Sequence, residues 1–265
     1  VGGYASGPVL FIATLLGIKI FIQEQNSYPG ITNKILSRFA KKIFVAYDNL
    51  NQFFKESKIV LTGNPVRKDI TAALPSKNDA LAFFQLKEEK RTILIIGGSL
   101  GARTINESVE KHIETFTRNG IQLLWQTGKV YYDGIIDRTK GNDLSDVKIH
   151  QFIREMNFAY SAADIIISRA GALSISELCI VGKPAILVPS PNVSEDHQTK
   201  NAMALVNKGA AVLVKDTEAK EKLGNAVLEL MKDETQLNQL SVNIKTLAKT
   251  NAANDIVNSI INEIR

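Results

Sequence analysis

The chain has 265 residues, of which 45% are hydrophobic and 22% charged, a composition that excludes a disordered or fibrous protein. The formal net charge of +5 is too small over this length to identify an anionic partner by itself. A single cysteine excludes an internal disulfide framework, and a single tryptophan does not favour a stacked-base platform for nucleic acid.

The first 66 residues predict only part of an α/β domain. An apolar stretch at 8–22 is shorter than the roughly twenty residues that a membrane-spanning helix needs, so it predicts a buried helix at 8–16 followed by a strand. Strands are predicted at 19–22, 42–46 and 59–61. Because three strands are fewer than an α/β domain usually has, and because the sequence begins on Val1 without methionine, we expect further N-terminal residues to precede it.

From residue 67 onward, short apolar runs rich in β-branched residues alternate with helical patterns. Such runs are typical of parallel strands covered on both faces, and the alternation predicts βα units in a doubly wound sheet. Strands are predicted at 92–96, 121–126, 147–152, 165–168, 185–188 and 211–214, and helices at 102–119, 172–181 and 198–208.

A turn signal, Gly63-Asn64-Pro65, separates these two parts of the chain. We therefore predict an N-terminal domain at 1–66 and a C-terminal domain at 67–249. A helix at about 250–265 is expected to pack back on the first domain.

A glycine-rich loop follows the predicted strand at 92–96 and opens the next helix. Its glycines, Gly97, Gly98 and Gly101, let backbone amides approach a ligand, and the helix start favours a phosphate. The loop is not the dinucleotide fingerprint, because Ser99 stands where the second glycine is required. A tight turn without a ligand is the alternative interpretation.

A second loop of this kind follows the predicted strand at 165–168. Gly171 and Ala172 form a small-residue turn, and we expect Leu173, Ser174 and Ile175 to offer free amides at a helix N-terminus. Two such corners predict a cradle for a diphosphate. Glu177, one turn further on, is placed to accept hydrogen bonds from sugar hydroxyls, or alternatively is only a favourable charge near a helix start.

Polar side chains cluster at two further strand ends. Gln198 and Asn201 share a helical face near its start, where their amides can bind sugar hydroxyls. The sequence Gln-Glu-Gln-Asn at 23–26 is expected to face a cleft. Neither a catalytic triad, a metal-ligand spacing nor an Asp-x-Asp motif occurs in the sequence, so helix ends and a basic residue such as Arg67 would have to neutralise a bound diphosphate.

Taken together and in order, these motifs resemble the MurG family of bacterial transferases, which add N-acetylglucosamine to lipid-linked muramyl-pentapeptide. The resemblance covers nearly the whole chain. The matching stretches are 2–8, 23–26, 62–67, 97–102, 126–128, 152–156, 169–177, 182–184 and 198–202.

The resemblance implies a GT-B fold: two Rossmann-like, doubly wound α/β domains that face a cleft, here with the N-terminal one incomplete. It implies an inverting, metal-independent transfer of GlcNAc from UDP-GlcNAc to the C4 hydroxyl of the MurNAc of lipid I, which gives lipid II. The implied partners are UDP-GlcNAc, lipid I, the membrane surface, and cell-wall and division proteins, but not nucleic acid. The implied location is peripheral, on the cytoplasmic face of the bacterial inner membrane.

The resemblance also implies individual roles. Arg67 and Ile153 would lie against the nucleotide, Ser99 and the 172–174 backbone near the diphosphate, Glu177 on the ribose, and Gln198 on the sugar, with Asn26 facing the cleft. The expected substrate-binding residues are Asn26, Arg67, Ser99, Ile153, Ala172, Leu173, Ser174, Ile175, Ser176, Glu177 and Gln198, with Gly98, Gly101 and Asn201 as secondary candidates.

Two departures from the family pattern leave the general base unassigned. A loop histidine of the family would precede Val1, and Gln23 stands where the family usually has histidine, although glutamine cannot act as a base near neutral pH. We therefore expect the chain as given to be inactive by itself.

Three alternatives stay open. One is another GT-B enzyme that uses a UDP-sugar, either an epimerase or a transferase with a different acceptor. Another is a non-catalytic domain that binds nucleotide sugars. The third concerns membrane docking: Phe11, Leu15 and Leu16 either form a docking patch or belong to the core.

Overall fold

The structure, a computed structural model, describes residues 5–264, and Gly2, Gly3 and Tyr4 of the first motif lie outside this range. Within it, the strands form two parallel sheets, which define a smaller and a larger domain. In the smaller domain the strand order is β1-β2-β3. Its elements are α1 (Ser6–Leu15), β1 (Phe21–Glu24), α2 (Ile31–Leu36), β2 (Lys42–Val45), 3-10 turns at Leu50–Gln52 and Glu56–Lys58, and β3 (Ile59–Leu61).

The larger domain has the strand order β6-β5-β4-β7-β8-β9. Its strands are β4 (Arg91–Ile96), β5 (Ile121–Gln126), β6 (Val147–His150), β7 (Ile165–Ser168), β8 (Ala185–Leu187) and β9 (Val212–Leu213). Its helices are α3 (Lys68–Thr71), α4 (Lys77–Phe83), α5 (Arg103–Arg118), α6 (Tyr132–Thr139), α7 (Met156–Ala162), α8 (Ala172–Val181), α9 (His197–Val206), α10 (Ala219–Lys232) and α11 (Glu234–Thr246), with α12 (Ala252–Ile264) at the end of the chain.

The larger sheet is apolar on both faces. β4, β5 and β7 bury nearly all of their residues, and separate clusters of buried side chains cover the two faces of the sheet. α5 contributes one apolar stripe, formed by Ile105, Val109, Ile113 and Phe116. The doubly wound sheet predicted from the apolar runs is therefore confirmed.

The strand order places a natural crevice between β4 and β7. Crossovers from β4 run towards one edge of the sheet, whereas β7 begins the half that runs towards the other edge. In such sheets, ligands bind outside the carboxyl ends of the strands at this switch point. Both glycine-rich corners lie there, since they follow β4 and β7.

Four strand predictions ran past the observed ends, those for β2, β6, β8 and β9, and the differences are largest for β6 and β9. β6 ends at His150, two residues before the predicted end, and the amide of Ile153 then donates to the side chain of Gln126. β9 spans only Val212–Leu213, although the amide of Val214 still donates to the carbonyl of Leu187 in β8.

The helix predicted at 8–16 is confirmed, whereas its burial is not seen within residues 5–264. α1 forms over Ser6–Leu15, but none of its residues is buried within the described chain, and Val9 and Leu15 are 70% and 68% exposed. α2 lies beside α1 and adds the exposed side chains of Ile31 and Ile35. None of the helices in residues 5–264 is long and apolar enough to cross a membrane.

The last helix lies against the smaller domain. The carboxylate of Glu263 is 3.4 Å from the ammonium of Lys41 and 3.6 Å from that of Lys42, and its carbonyl accepts a hydrogen bond from Lys19. Just before α12, the Lys249 side chain packs on Gly63, where an added Cβ would lie 2.4 Å from the Cβ of Lys249. The chain therefore crosses twice between the two domains.

Candidate functional site

The glycine-rich loop after β4 contains one glycine that faces free space and one that is tightly packed. Gly98 has a φ of +86°, and a Cβ added there would have no atom within 4 Å, so this glycine faces free space. Gly101 has a φ of +92°, and a Cβ there would lie 2.2 Å from the carbonyl oxygen of Thr127. Gly98 and Ser99 can therefore meet a ligand. Gly101 packs against Thr127 and its amide donates to the carbonyl of Gly98 at 3.1 Å, so its place among the secondary candidates stays a prediction.

The corner after β7 is a helix N-terminus. Gly171 is the N-cap of α8, and its carbonyl accepts the first intrahelical hydrogen bond from the amide of Ile175, at 2.9 Å. The amides of Ala172, Leu173 and Ser174 precede that bond and are the ones an anion can use. The expectation that Ile175 offers a free amide was wrong, and its buried side chain points away from the cleft.

Glu177 lies one turn into α8 between two partners. Its carboxylate accepts a hydrogen bond of 2.7 Å from the hydroxyl of Tyr160 and lies 3.6 Å from the guanidinium of Arg67. Burial, and secondarily the Glu177 carboxylate, raise the pKa of Tyr160 well above its usual value, so this hydroxyl stays a donor. Glu177 is consequently fixed as an oriented acceptor at the cleft wall.

Gln126 holds two walls of the cleft together. Its Nε2 donates to the carbonyl of Gly98 at 3.2 Å, and its Oε1 accepts from the amide of Ile153 at 2.9 Å. The side chain thus fixes the glycine corner relative to the segment at 151–155, which leads into α7.

Gln198 and Arg169 arrange the opposite wall. The Oε1 of Gln198 accepts from the amides of Ala170, at 3.3 Å, and Ser190, at 2.9 Å, so its Nε2 is the group left to a ligand. Arg169 donates to the carbonyls of Val188 and Pro189 and pairs with Asp216. These bonds fix the loop at 188–192 beside the cleft.

The cleft formed by these walls has about 940 Å³ of free space, including its mouth to solvent, which is within the range of small-molecule sites. The expected residues that line it are Arg67, Gly98, Ser99, Ile153, Ser174, Glu177 and Gln198. Ala172 is buried at the helix mouth, and the side chain of Leu173 is exposed beside it, so both contribute only through their amides.

The structure places the remaining expected residues elsewhere. We call the contact of residues 23–28, 46–48 and 61–64 with α8 and α9 the seam. There Asn201 is completely buried: its Oδ1 accepts from the amide and hydroxyl of Ser27, and its Nδ2 donates to the Oδ1 of Asn26 at 3.0 Å. Asn201 therefore cannot bind a sugar hydroxyl, and Asn26 is engaged in holding the domains together.

Asn64 is the other hydrogen-bonding centre of the seam. It donates to the carbonyl of Gln25 and to the hydroxyl of Ser176, both at 3.0 Å, and accepts from Gln23 at 2.6 Å. The expectation that Ser176 binds substrate is corrected accordingly, because its hydroxyl faces Asn64 rather than the cleft.

The prediction that all four residues at 23–26 face a cleft was also wrong. Glu24 is buried, and its carboxylate accepts hydrogen bonds from the amides of Asn26 and Gly30 and from the side chain of Asn33. This carboxylate fixes the turn that carries Asn26 to the seam.

Sequence reasoning missed Tyr160, Gln126 and Arg169 as members of the site. Gln126 gave the clearest signal, since it is a polar residue ending an apolar strand beside β4. Tyr160 gave none, because its approach to Glu177 depends on how α7 packs against the sheet. Among residues 5–264, no group of three histidine, cysteine or acidic side chains is arranged to hold a metal ion.

Comparison with known proteins assigns both parts of the chain. The glycosyltransferase family 28 C-terminal domain matches residues 92–259, and the N-terminal domain of the same family matches residues 1–45. The chain belongs to glycosyltransferase family 28.

Two curated family 28 relatives carry the name UDP-N-acetylglucosamine--N-acetylmuramyl-(pentapeptide) pyrophosphoryl-undecaprenol N-acetylglucosamine transferase. The one from Parabacteroides distasonis is 53% identical over 98% of this chain and 71% of its own length, and the one from Cytophaga hutchinsonii is 54% identical over 98% and 69%.

Solved structures agree with the family 28 assignment. Acinetobacter baumannii MurG superposes with a TM-score of 0.79 at 30% identity, over 98% of this chain and 72% of that one. A UDP-GlcNAc 2-epimerase from Neisseria meningitidis, bound to UDP-GlcNAc, has a TM-score of 0.64 at 16% identity over 96% and 72%, a likeness of fold alone. The GT-B architecture and the family resemblance are therefore confirmed.

Proposed function

We propose that this protein transfers N-acetylglucosamine from UDP-GlcNAc to the lipid-linked muramyl-pentapeptide acceptor, lipid I, and so makes lipid II for peptidoglycan. The observation that carries the proposal is the identity of 53% over 98% of the chain to a relative with that name. The cleft at the switch point supports the proposal, because its lining contains groups suited to a nucleotide sugar.

The proposed donor site follows from the walls of the cleft. The ribose hydroxyls would donate to Glu177, which Tyr160 and Arg67 hold in place. The uracil would lie against the segment that Gln126 fixes at Ile153. The sugar would lie near Gln198, whose free Nε2 can donate to a hydroxyl.

We propose that the diphosphate is held without a metal ion. Gly98, Ser99 and Ser174 line the cleft, and we expect the free amides of Ala172 to Ser174 to face the diphosphate, with the dipole of α8 behind them. As the bond to the sugar breaks, negative charge grows on the departing UDP, and donors fixed in advance stabilise it without reorganising. The acceptor C4 hydroxyl attacks the anomeric carbon from the opposite face, which inverts its configuration. The general base stays unassigned.

We infer peripheral binding to the cytoplasmic face of the membrane, because the acceptor is lipid-linked. The exposed side chains of Phe11 and Leu15 on α1, and of Leu16 just after it, offer an apolar surface. Lys34 lies on the adjacent α2, and Arg38 follows α2. Cell-wall and division proteins are proposed as further partners.

An acceptor assay tests the proposal. The full-length protein is incubated with UDP-GlcNAc and either lipid I or free MurNAc-pentapeptide, and the products are separated and their linkage determined by NMR. We expect a β-linked disaccharide on lipid I and release of UDP. Release of UDP-ManNAc or free UDP without lipid I would favour an epimerase or another transferase instead.

A further inference from the structure

A second cavity lies in the seam, on the opposite side of α8 from the donor cleft. It has about 740 Å³ of free space, including its mouth. Its walls come from both domains, and the residues that matter here are Tyr47, Ile175, Cys179, Ala204, Lys208 and Lys249.

α8 separates the two spaces. Ser174 and Glu177 lie on its face towards the donor cleft, whereas Ile175 and Cys179, four residues apart, lie on its face towards the seam. The seam cavity is therefore distinct from the donor site, although the two share one helix as a wall.

One polar group in the seam cavity lacks a partner. The hydroxyl of Tyr47 is buried and forms no hydrogen bond with any residue among 5–264. Burial, and secondarily the neighbouring Cys179 thiol, raise the pKa of Tyr47, so the group is a neutral donor. Buried hydroxyls normally have a partner. This oxygen has almost no accessible surface, so an acceptor in the cavity reaches it through a small rotation of the Tyr47 side chain.

The other polar groups of the lining are already used. Asn64 and Ser176 bond each other, and Ser176 also donates to the carbonyl of Ala172. Burial raises the pKa of Cys179 to about 12, so its thiol is a small neutral side chain. The inner wall is therefore apolar around a single donor, the Tyr47 hydroxyl.

The lining of the cavity contains two lysines and one carboxylate, that of Asp48, so its net charge is positive. The ammonium of Lys208 pairs with Asp48 across the seam at 2.7 Å. Lys249 forms no ion pair with any described residue. An anionic group at the mouth would therefore meet a lysine that has no other partner.

We propose that the seam cavity is a second ligand site, which binds a small amphipathic carboxylate. The apolar body of the ligand lies against Ile175 and Cys179, and its carboxylate accepts a hydrogen bond from Tyr47 and faces Lys249. Such a ligand contacts both domains at once, since Tyr47 belongs to the smaller and Ile175 to the larger.

Calorimetry with three carboxylates of different shape tests the proposal on the full-length protein: biphenyl-4-carboxylate, naphthalene-2-carboxylate and octanoate. We expect at least one to bind, and to bind more tightly than its uncharged carboxamide. Tyr47→Phe should weaken binding about tenfold, the effect of one hydrogen bond to a charged group, and Lys249→Met should weaken it about threefold. Tyr132→Phe, which removes the same hydroxyl from α6 outside the cavity, should change nothing.

A crystal structure with the tightest of these probes locates the site. Density in the seam cavity with a carboxylate oxygen within hydrogen-bonding distance of Tyr47 supports the proposal. Ala204→Phe, which fills the cavity, should abolish binding while circular dichroism shows a folded protein. Failure of all three probes to bind, density only in the donor cleft, or equal affinity in Tyr47→Phe and Tyr132→Phe would overturn it.

Discussion

The two sides of α8 are built in different ways. On the side of the proposed donor cleft, the groups available to a ligand are mainly backbone amides at two helix-starting corners, and Glu177 is an acceptor held among them. On the seam side, side-chain amides such as Asn64 and Asn201 form the contacts, and they are buried. Polar groups that face the smaller domain are used to join the two domains, whereas those that face the cleft stay available to a ligand.

Gly101→Ala should give the largest effect. It disrupts the packing of the glycine-rich corner after β4 and so lowers the stability of the protein. A Cβ would overlap the Thr127 carbonyl in a backbone conformation that disfavours side chains, so we expect the free energy of unfolding to fall by about 3 kcal/mol or more. Urea denaturation measures this. Gly98→Ala, at positive φ but in open space, should cost about 1 to 2 kcal/mol. Equal losses would contradict the packing role.

Asn201→Ala removes hydrogen bonds that join the two domains at the seam. It removes an acceptor from Ser27 and a donor to Asn26 in a fully buried position, so we expect a loss of about 2 to 3 kcal/mol in the free energy of unfolding. Thermal and urea denaturation report it. Asn258→Ala on exposed α12 is the control, because its side chain forms no hydrogen bond with a described residue, and the expected change is within about 0.5 kcal/mol. A near-neutral Asn201→Ala would show that the seam is not held there.

Glu177→Gln tests whether the carboxylate in the proposed donor cleft contributes to the binding of UDP. Replacing a charged acceptor by a neutral one should raise the Kd for UDP about tenfold, which corresponds to about 1.4 kcal/mol. Calorimetry with UDP and 2′-deoxy-UDP distinguishes a ribose contact from a general effect of charge, because the preference for the 2′-hydroxyl should shrink in the variant. Glu229→Gln, exposed on α10, should leave both affinities unchanged.

Ser99→Ala and Ser176→Ala should have the smallest effects, and as a pair they distinguish the cleft face of α8 from its seam face. Ser99 is exposed at the donor corner, and because the backbone amides there stay in place, we expect the Kd for UDP to rise only about threefold. Ser176 bonds Asn64, so its variant should lose about 1 kcal/mol of stability and keep its affinity for UDP. The opposite pattern would reverse the assignment of the two faces.

Local patterns were enough to predict the sheet and its two corners. Apolar runs bounded by glycines gave β4 and β7, and glycine followed by a helix placed Ser99 and Ser174 at the cleft. The pattern could not give the direction of a polar side chain on a helix. Gln198 and Asn201 share one helix, yet Gln198 reaches the cleft and Asn201 the seam, because the smaller domain covers only the latter.

α1 shows the same limit for apolar residues. Hydrophobicity alone predicted burial, whereas burial depends on which element packs against a helix, and within residues 5–264 only a small part of α1 is covered. Tyr160 shows that a buried residue can also belong to the site. It lies in an apolar helix, but its hydroxyl donates to Glu177 on another helix.

A crystal structure of the full-length protein with UDP-GlcNAc, grown with magnesium present, tests the diphosphate cradle most directly. We predict phosphate oxygens within hydrogen-bonding distance of backbone amides at Ser99 and at Ala172 to Ser174, with no cation between them. A diphosphate bridged by magnesium, or a nucleotide bound away from these two corners, would contradict the account.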